Sequence, residues 1–317
     1  MQAEILIDYL TFTIHGDANV RTVIDYVLGM DSTIFEHGRG YNFYQQSMIY
    51  KDIRVMYEGM SNMGVCVNMS GRGCRAFEEY HNNSILTFLG RIINQQNINI
   101  TRIDIACDDK HGYLNLEKMM QYANNGLYRT RLMSRNNQES FKGKERGSKT
   151  LYFGSANSLY RIRIYDKAKQ TGDNNSHWVR FEITLRAEYA NQAVKILNES
   201  DCLGKAVSGI IKDKFTFIEL DNANISRCSV AEWWAEFLGE IQTVKLTSRQ
   251  KVTHSIDESK KWLKESCGRI ITKVYDAIGE DAFNREILMY GRARLTPTDK
   301  VMIKDYICNV RGAGHVS

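Results

Sequence analysis

A tyrosine set among cations is the densest chemical feature of the sequence. In YRIRIYDK, residues 160–167, strand alternation places Arg161, Arg163, Tyr165 and Lys167 on one face and Ile162 and Ile164 on the other. A phenol beside cations has its phenolate favoured, which is what a nucleophile needs. Arginine and lysine match a phosphodiester and stabilise its crowded transition state. Two further stretches carry the complementary charge. In TRIDIACDD, Arg102, Asp104 and Asp108 share a face, opposite Ile103, Ile105 and Cys107. In WVRFEITLR, Arg180, Glu182, Thr184 and Arg186 share a face, opposite Phe181, Ile183 and Leu185. Asp8 interrupts the apolar run IDYLTFT in the same manner. Carboxylate oxygens are ligands for Mg²⁺ or Mn²⁺, hard cations that leave positions open to phosphate oxygens and water. Each strand alone reads as one side of a half-solvated antiparallel sheet. Together they describe a phosphoryl-transfer site with a covalent phosphotyrosine step.

The elements that must position these residues can be followed along the chain. A first strand, Ile5 to Ile14, precedes an amphipathic helix with Asp17 as N-cap, the stripe Val20, Val23, Ile24, Val27 and Leu28, and Gly29 as its stop. Aromatic and β-branched runs between Tyr41 and Met69 predict a meander of short antiparallel strands. SGRGCRAFEEY turns into a short helix, and Ser84 caps another carrying Ile85, Leu86, Leu89, Ile92 and Ile93. The spacing then predicts a strand from Ile98, a helix over Asn115 to Asn124, strands at Leu151, Tyr160 and Trp178, and a helix over Ala190 to Leu197. Beyond Asn222 the pattern becomes helical, with Trp233, Trp234, Phe237, Leu238 and Ile241 on one stripe at core spacing. Later helices carry Trp262 and Leu263, then Ile270, Ile271, Val274, Tyr275 and Ile278; Pro297 opens a last one. The expected architecture is α+β: an antiparallel central sheet with helices on its greasy face and a charged active-site face, plus a helical C-terminal part. The expected division is a catalytic domain over residues 1–221 and a helical region over 222–317.

Composition bounds the partners. The chain has 317 residues, 43% of them hydrophobic and 25% charged, ordinary values for a folded soluble protein. No stretch is apolar for long enough to span a membrane, and MQAEILIDYLTF lacks the basic region of a secretory signal. Seven cysteines without a CxxC pair argue against a disulfide framework or zinc site and fit buried thiols in a reducing cytoplasm. The net charge of +5 suits a polyanion. Its densest stretch, Tyr128 to Lys149, reads as a mobile basic loop, either a solvated linker or an arm in which Lys142, Lys144 and Arg146 track phosphates. SGRGCR offers backbone N–H groups with Arg72 and Arg75 to a DNA phosphate, or else is a tight turn that needs Gly71 and Gly73. No GKS or GKT follows it, so ATP use is unsupported. His15, His81 and His177 lack ligand spacing, and Cys66, Cys74 and Cys107 sit in apolar strand contexts.

At the charged strands the sequence resembles the Rep_trans family of rolling-circle replication initiators, which includes plasmid and phage initiators and relaxases of conjugative elements. The matching stretches are IDYLTFT, MGVCVNMSGRGCRAFE, TRIDIACDD, LYFGSANSLYRIRIYDKAKQ and WVRFEITLR, within residues 5 to 240. The resemblance implies that Tyr165 attacks one strand of an origin, becomes joined to its 5′-phosphate and frees a 3′-hydroxyl. It implies a Mg²⁺ or Mn²⁺ site built from Asp104 and Glu182 first, then Asp108 and Asp8. It gives Lys167 and Arg163 the scissile phosphate, with Arg161 and Arg180 as further DNA contacts. Two departures stand out: Gln170 replaces a Glu common among relatives, and the His-hydrophobic-His motif of the wider initiator group is missing. The implied partner is origin DNA, single-stranded or as a hairpin at the nick site, with a host helicase and a second copy of the chain as further candidates. A non-cleaving DNA-binding regulator is the alternative, and a metal-free tyrosine recombinase a more distant one.

Overall fold

The structure, a computed structural model, describes residues 4–16, 18–142, 145–173, 175–243 and 263–293, with a few isolated positions between 256 and 306; of 140–142, 145–148 and 265–266 only the backbone is described. The chain divides into two compact units, Met1–Thr247 and Ser248–Ser317.

The first unit is built on a ten-stranded antiparallel sheet. Its strands are β1 (Glu4–Ile14), β2 (Glu36–Arg39), β3 (Gln46–Tyr50), β4 (Ile53–Tyr57), β5 (Val65–Ser70), β6 (Ile98–Asp109), β8 (Arg135–Lys142), β9 (Glu145–Phe153), β10 (Tyr160–Asp166) and β11 (Val179–Arg186). They lie in the order β2-β3-β4-β5-β1-β6-β11-β10-β9-β8. The three strands rich in charge, β6, β11 and β10, are therefore direct neighbours at the sheet's middle. A short separate pair joins β7 (Tyr128–Thr130) to β12 (Phe215–Phe217).

Alternation separates the faces as the sequence predicts. Ile103, Ile105, Cys107, Ile162, Ile164, Phe181, Ile183 and Leu185 are all buried in one core. Helices cover that side: α2 (Gly71–His81), α3 (Ile85–Ile92), α4 (Leu116–Asn124), α6 (Glu188–Glu199), α7 (Leu203–Lys214) and α8 (Glu232–Thr243). Ser70, Ser84 and Asn115 cap α2, α3 and α4 through their side-chain oxygens. The first helical segment is a single turn, α1 (Val20–Thr22), capped by Asn19 and continued by the π-helical turn Val23–Leu28 up to Gly29, whose φ is 67°. Asp17, the expected cap, lies outside the described residues.

The structure differs from the sequence reading in four places. The stretch expected as a mobile basic loop forms β7 and the β8–β9 hairpin at the sheet edge. Its polar composition resembles a loop because β8 is an edge strand with little apolar surface to show, while its backbone pairs with β9. The helix α7 has no counterpart in the sequence reading. Lys167 is not on a strand: it begins the short helix α5 (Lys167–Thr171), capped by Asp166. Finally, the expected boundary at 221/222 falls inside the first unit. Trp234 of α8 is fully buried against Phe181, Phe215, Phe217 and Phe237, so this helix completes the core of the sheet.

In the second unit, α9 (Gly268–Phe283) carries a kink at Gly279, with φ 78°, and continues through Asn284–Leu288 and Met289–Arg292. Trp262 and Pro297 lie outside the described residues. Among the described residues no helix is long and apolar enough to cross a membrane.

Candidate active site

Register assembles the polar face row by row. Asp108 lies opposite Arg180, which lies opposite Tyr165. The next row runs Ala106, Glu182, Arg163, Tyr152, and the one after it Asp104, Thr184, Arg161. Alanine at 106 leaves room between its charged neighbours. Asp8 reaches this face through a bulge: the pairing of β1 with β6 shifts between Ile7 and Tyr9, leaving Asp8 as the extra residue. Helix α2 closes on it. A Cβ at Gly71 would stand 2.5 Å from Asp8 Oδ1, and one at Gly73 would stand 2.3 Å from the Asp52 carbonyl oxygen. These two glycines serve close approach within a helix, rather than the tight turn or open phosphate loop expected from sequence.

Tyr165 is 3% exposed. Its hydroxyl donates to Glu182 Oε2 at 3.3 Å, and the Arg163 guanidinium lies 4.8 Å from its ring centroid. Arg163 Nη2 donates to both Glu182 oxygens, at 2.8 and 2.6 Å. Lys167, although on α5, places Nζ 5.7 Å from the same ring and donates to Gln170 Oε1 at 2.8 Å. Gln170 thus holds this lysine. Burial pushes the Tyr165 phenol well above its ordinary range; the Glu182 charge adds to this, and Arg163 and Arg180 offset only part of it. The expectation that cations favour its phenolate is therefore corrected for the free protein: desolvation outweighs them. Burial also raises the Glu182 carboxyl, against the pull of Arg163. Burial, then Arg180, lowers the Lys167 amine.

The other acids are also paired. Arg180, itself buried, donates from Nε and Nη2 to Asp108 at 2.6 and 2.7 Å, and its Nη1 stands 3.0 Å from Asp8 Oδ1. Arg102 holds Asp104 in a fork at 2.8 and 2.6 Å while lying 4.0 Å from the Tyr9 ring centroid. Such bidentate pairs make burial of carboxylates tolerable. The four acids expected to bind metal are therefore on one face but not in one cluster. Among the described residues no three His, Cys, Asp or Glu side chains converge on a point where an ion could sit. In this arrangement the four carboxylates are engaged by arginines, Asp8 and Asp108 by the same Arg180, so a divalent cation would have to displace a guanidinium to reach them.

Among the expected DNA contacts, Arg161 lies over the Tyr152 ring at 4.2 Å. Arg72 pairs with Asp52 at 3.1 Å, and Arg75 binds Glu78 and the Ile7 carbonyl beside the bulge. Lys144 and the side chains of Lys142 and Arg146 lie outside the described residues. One important acid escaped the sequence reading. Asp109 is 1% exposed and accepts from the backbone of His111, Gly112 and Leu114, with His177 Nε2 at 3.2 Å. Alternation places it on the apolar face, and an acid there must organise a loop; that was the available signal.

These features define a protein with paired charges and a buried tyrosine on one face of a large antiparallel sheet. The same fold occurs in a solved rolling-circle replication initiator protein from Geobacillus stearothermophilus, 27% identical, with a TM-score of 0.70 over 77% of this chain and 98% of that one. Family models match two regions: "Rolling Circle replication initiation protein N-terminal domain" over residues 4–92 and "Replication initiation factor" over residues 98–289. The chain belongs to this family of rolling-circle replication initiation proteins. It is also 26% identical to a Bacillus subtilis (strain 168) protein named "Putative DNA relaxase NicK", over 96% of this chain and 90% of that one.

Proposed function

We propose that the protein nicks one DNA strand at a replication or transfer origin, with Tyr165 as nucleophile. The observation that carries this reading is the Tyr165 hydroxyl aimed at Glu182 Oε2 with Arg163 against its ring. Tyr165 Oη attacks phosphorus while Glu182 accepts its proton. The bond from phosphorus to the 3′-oxygen breaks, the leaving oxygen takes the electron pair and is protonated to a 3′-hydroxyl, and the 5′-phosphate remains on Tyr165. Phosphodiester energy is conserved, so the reverse reaction rejoins the strand. Arg161, Arg163, Arg180 and Lys167 supply positive charge for the phosphate, with Arg102 and Arg186 further along β6 and β11, beside the four acids Asp8, Asp104, Asp108 and Glu182.

The family resemblance adds Mg²⁺ or Mn²⁺. An ion seeking Asp8 and Asp108 together meets Arg180 between them, and no step above depends on one. Origin DNA is the substrate and partner in this reading, and the helices beyond α8 assist origin recognition or self-association.

The test uses supercoiled plasmid carrying the coding region and its flanks, where the origin is sought. Wild-type protein with Mg²⁺ or Mn²⁺ should give an open circle bearing protein on a 5′-end, and EDTA should suppress it. Tyr165→Phe should bind the same DNA without forming the adduct. A wild-type protein that binds without any adduct would instead be a DNA-binding regulator.

A further inference from the structure

The loops at the far end of the polar face are built to show aromatic rings. Residues 40–45 connect β2 to β3, and residues 58–64 connect β4 to β5, at the same end of the sheet. They are joined: the Gln45 amide donates to the Glu58 carbonyl at 3.1 Å, and the Tyr44 hydroxyl donates to the Met63 carbonyl at 3.2 Å. Tyr44 packs with Met56 and Cys66 as a small second core on this face, with Met63 against it. There is no slack around it. A Cβ at Gly59 would lie 2.9 Å from the Tyr44 ring, and one at Gly40 2.3 Å from the Tyr44 carbonyl oxygen.

On this rigid base the exposed side chains are the wrong kind for solvent. Phe43 is 77% exposed, Met60 64% and Tyr41 40%. Asn42 and Phe43 both have left-handed backbone, with φ 51° and 69°. An exposed phenylalanine held at positive φ costs conformational free energy and gains no burial, a combination found where function demands it.

From this tip a polar row leads across the sheet to β6, one of the strands of the charged face. Arg54 lies 5.5 Å from the Tyr41 ring centroid, and the row Arg54, Asn68, Thr11, Arg102 crosses β4, β5, β1 and β6. Asn68 donates to Tyr9 and Thr11, and Arg102 covers Tyr9. Cations alternating with aromatic rings along one face are what an unpaired nucleic-acid strand binds, through backbone charge and base stacking. Three exposed apolar side chains are too little for a stable protein interface, which buries about 1,600 Å².

We propose that the joined loops 40–45 and 58–64 form a stacking platform for unpaired DNA bases, with Phe43 and Tyr41 taking the base faces, on the strand that leads to Tyr165. The proposal rests on the nicking reading for its substrate, and the two can fail separately. The probes are a fluorescent oligo(dT) and the duplex it forms with oligo(dA), read by anisotropy. Phe43→Ala and Tyr41→Ala should each weaken single-strand binding about tenfold and leave duplex binding within about twofold. Phe43→Asn, which tolerates positive φ, should match Phe43→Ala and exclude misfolding as the cause. Phe43→Trp should retain affinity, and its added emission should be quenched by oligo(dT). Unchanged single-strand affinity, equal losses on both probes, or a Phe43→Ala change in sedimentation that reveals a second copy on the loops would each overturn the platform. If wild type forms the Tyr165 adduct while these variants bind normally, the platform alone fails. If no adduct forms but the single-strand losses appear, the nicking reading fails and the platform stands.

Discussion

The two faces of β6, β11 and β10 both bury residues but are held together by different physics. On one, Ile105, Ile164 and Phe181 pack without direction, and their contribution scales with apolar area removed from water. On the other, Asp104, Asp108, Arg180 and Glu182 are between 2% and 5% exposed, and each is held by a directed partner. The apolar face tolerates approximate shape. The polar face tolerates no missing partner, because a buried charge without one loses its solvation and receives nothing in return. That intolerance fixes the geometry around Tyr165.

Substitutions on the two faces should therefore separate stability from activity. The largest expected effect is Tyr165→Phe, which should lower adduct formation by at least about 10³-fold while its thermal midpoint stays near wild type. Gel analysis of covalent protein–DNA species, beside a thermal scan, checks both halves. Arg180→Met should cost about 3–5 kcal/mol in denaturant titration, because Asp108 is left buried and uncompensated. Adding Asp108→Leu should recover much of that loss; if the double variant is no more stable than the single one, the asymmetry argued for this face is wrong. Ile105→Ala on the opposite face should cost about 2–4 kcal/mol and leave single-strand DNA affinity unchanged.

The smallest expected effect is in pH. Glu182 has a raised carboxyl pKa in the folded state, so the folded protein binds a proton that the unfolded chain has already released. Stability should fall as pH rises from the ordinary carboxylate range through the raised value, with a slope of at most about 1.4 kcal/mol per pH unit from this group. Glu182→Gln should remove that slope. If Glu182 takes the Tyr165 proton, the same substitution should also abolish the acid limb of the nicking rate; a persisting limb assigns the base elsewhere.

Much of this site was legible in the sequence because strand alternation is a local property. The sharing of one face by Arg102, Asp104 and Asp108, by Arg161, Arg163 and Tyr165, and by Arg180, Glu182 and Thr184 follows from backbone geometry alone. Lys167 broke the pattern because Asp166 caps a helix there, a local competitor to the strand that alternation does not weigh. The β8–β9 hairpin was hidden because an edge strand with polar side chains has no hydrophobic period to detect.

The sequence by itself determined which residues carry charge, which face each strand turns to the core, and which tyrosine stands among cations. Only the tertiary structure decided which charges meet. Pairing of Asp108 with Arg180, and of Glu182 with Arg163, depends on register between strands separated by many residues. The same register buried Tyr165 beside a carboxylate and reversed the expected direction of its pKa. Charge type is written residue by residue, whereas desolvation belongs to the assembled sheet, and here desolvation is the larger effect.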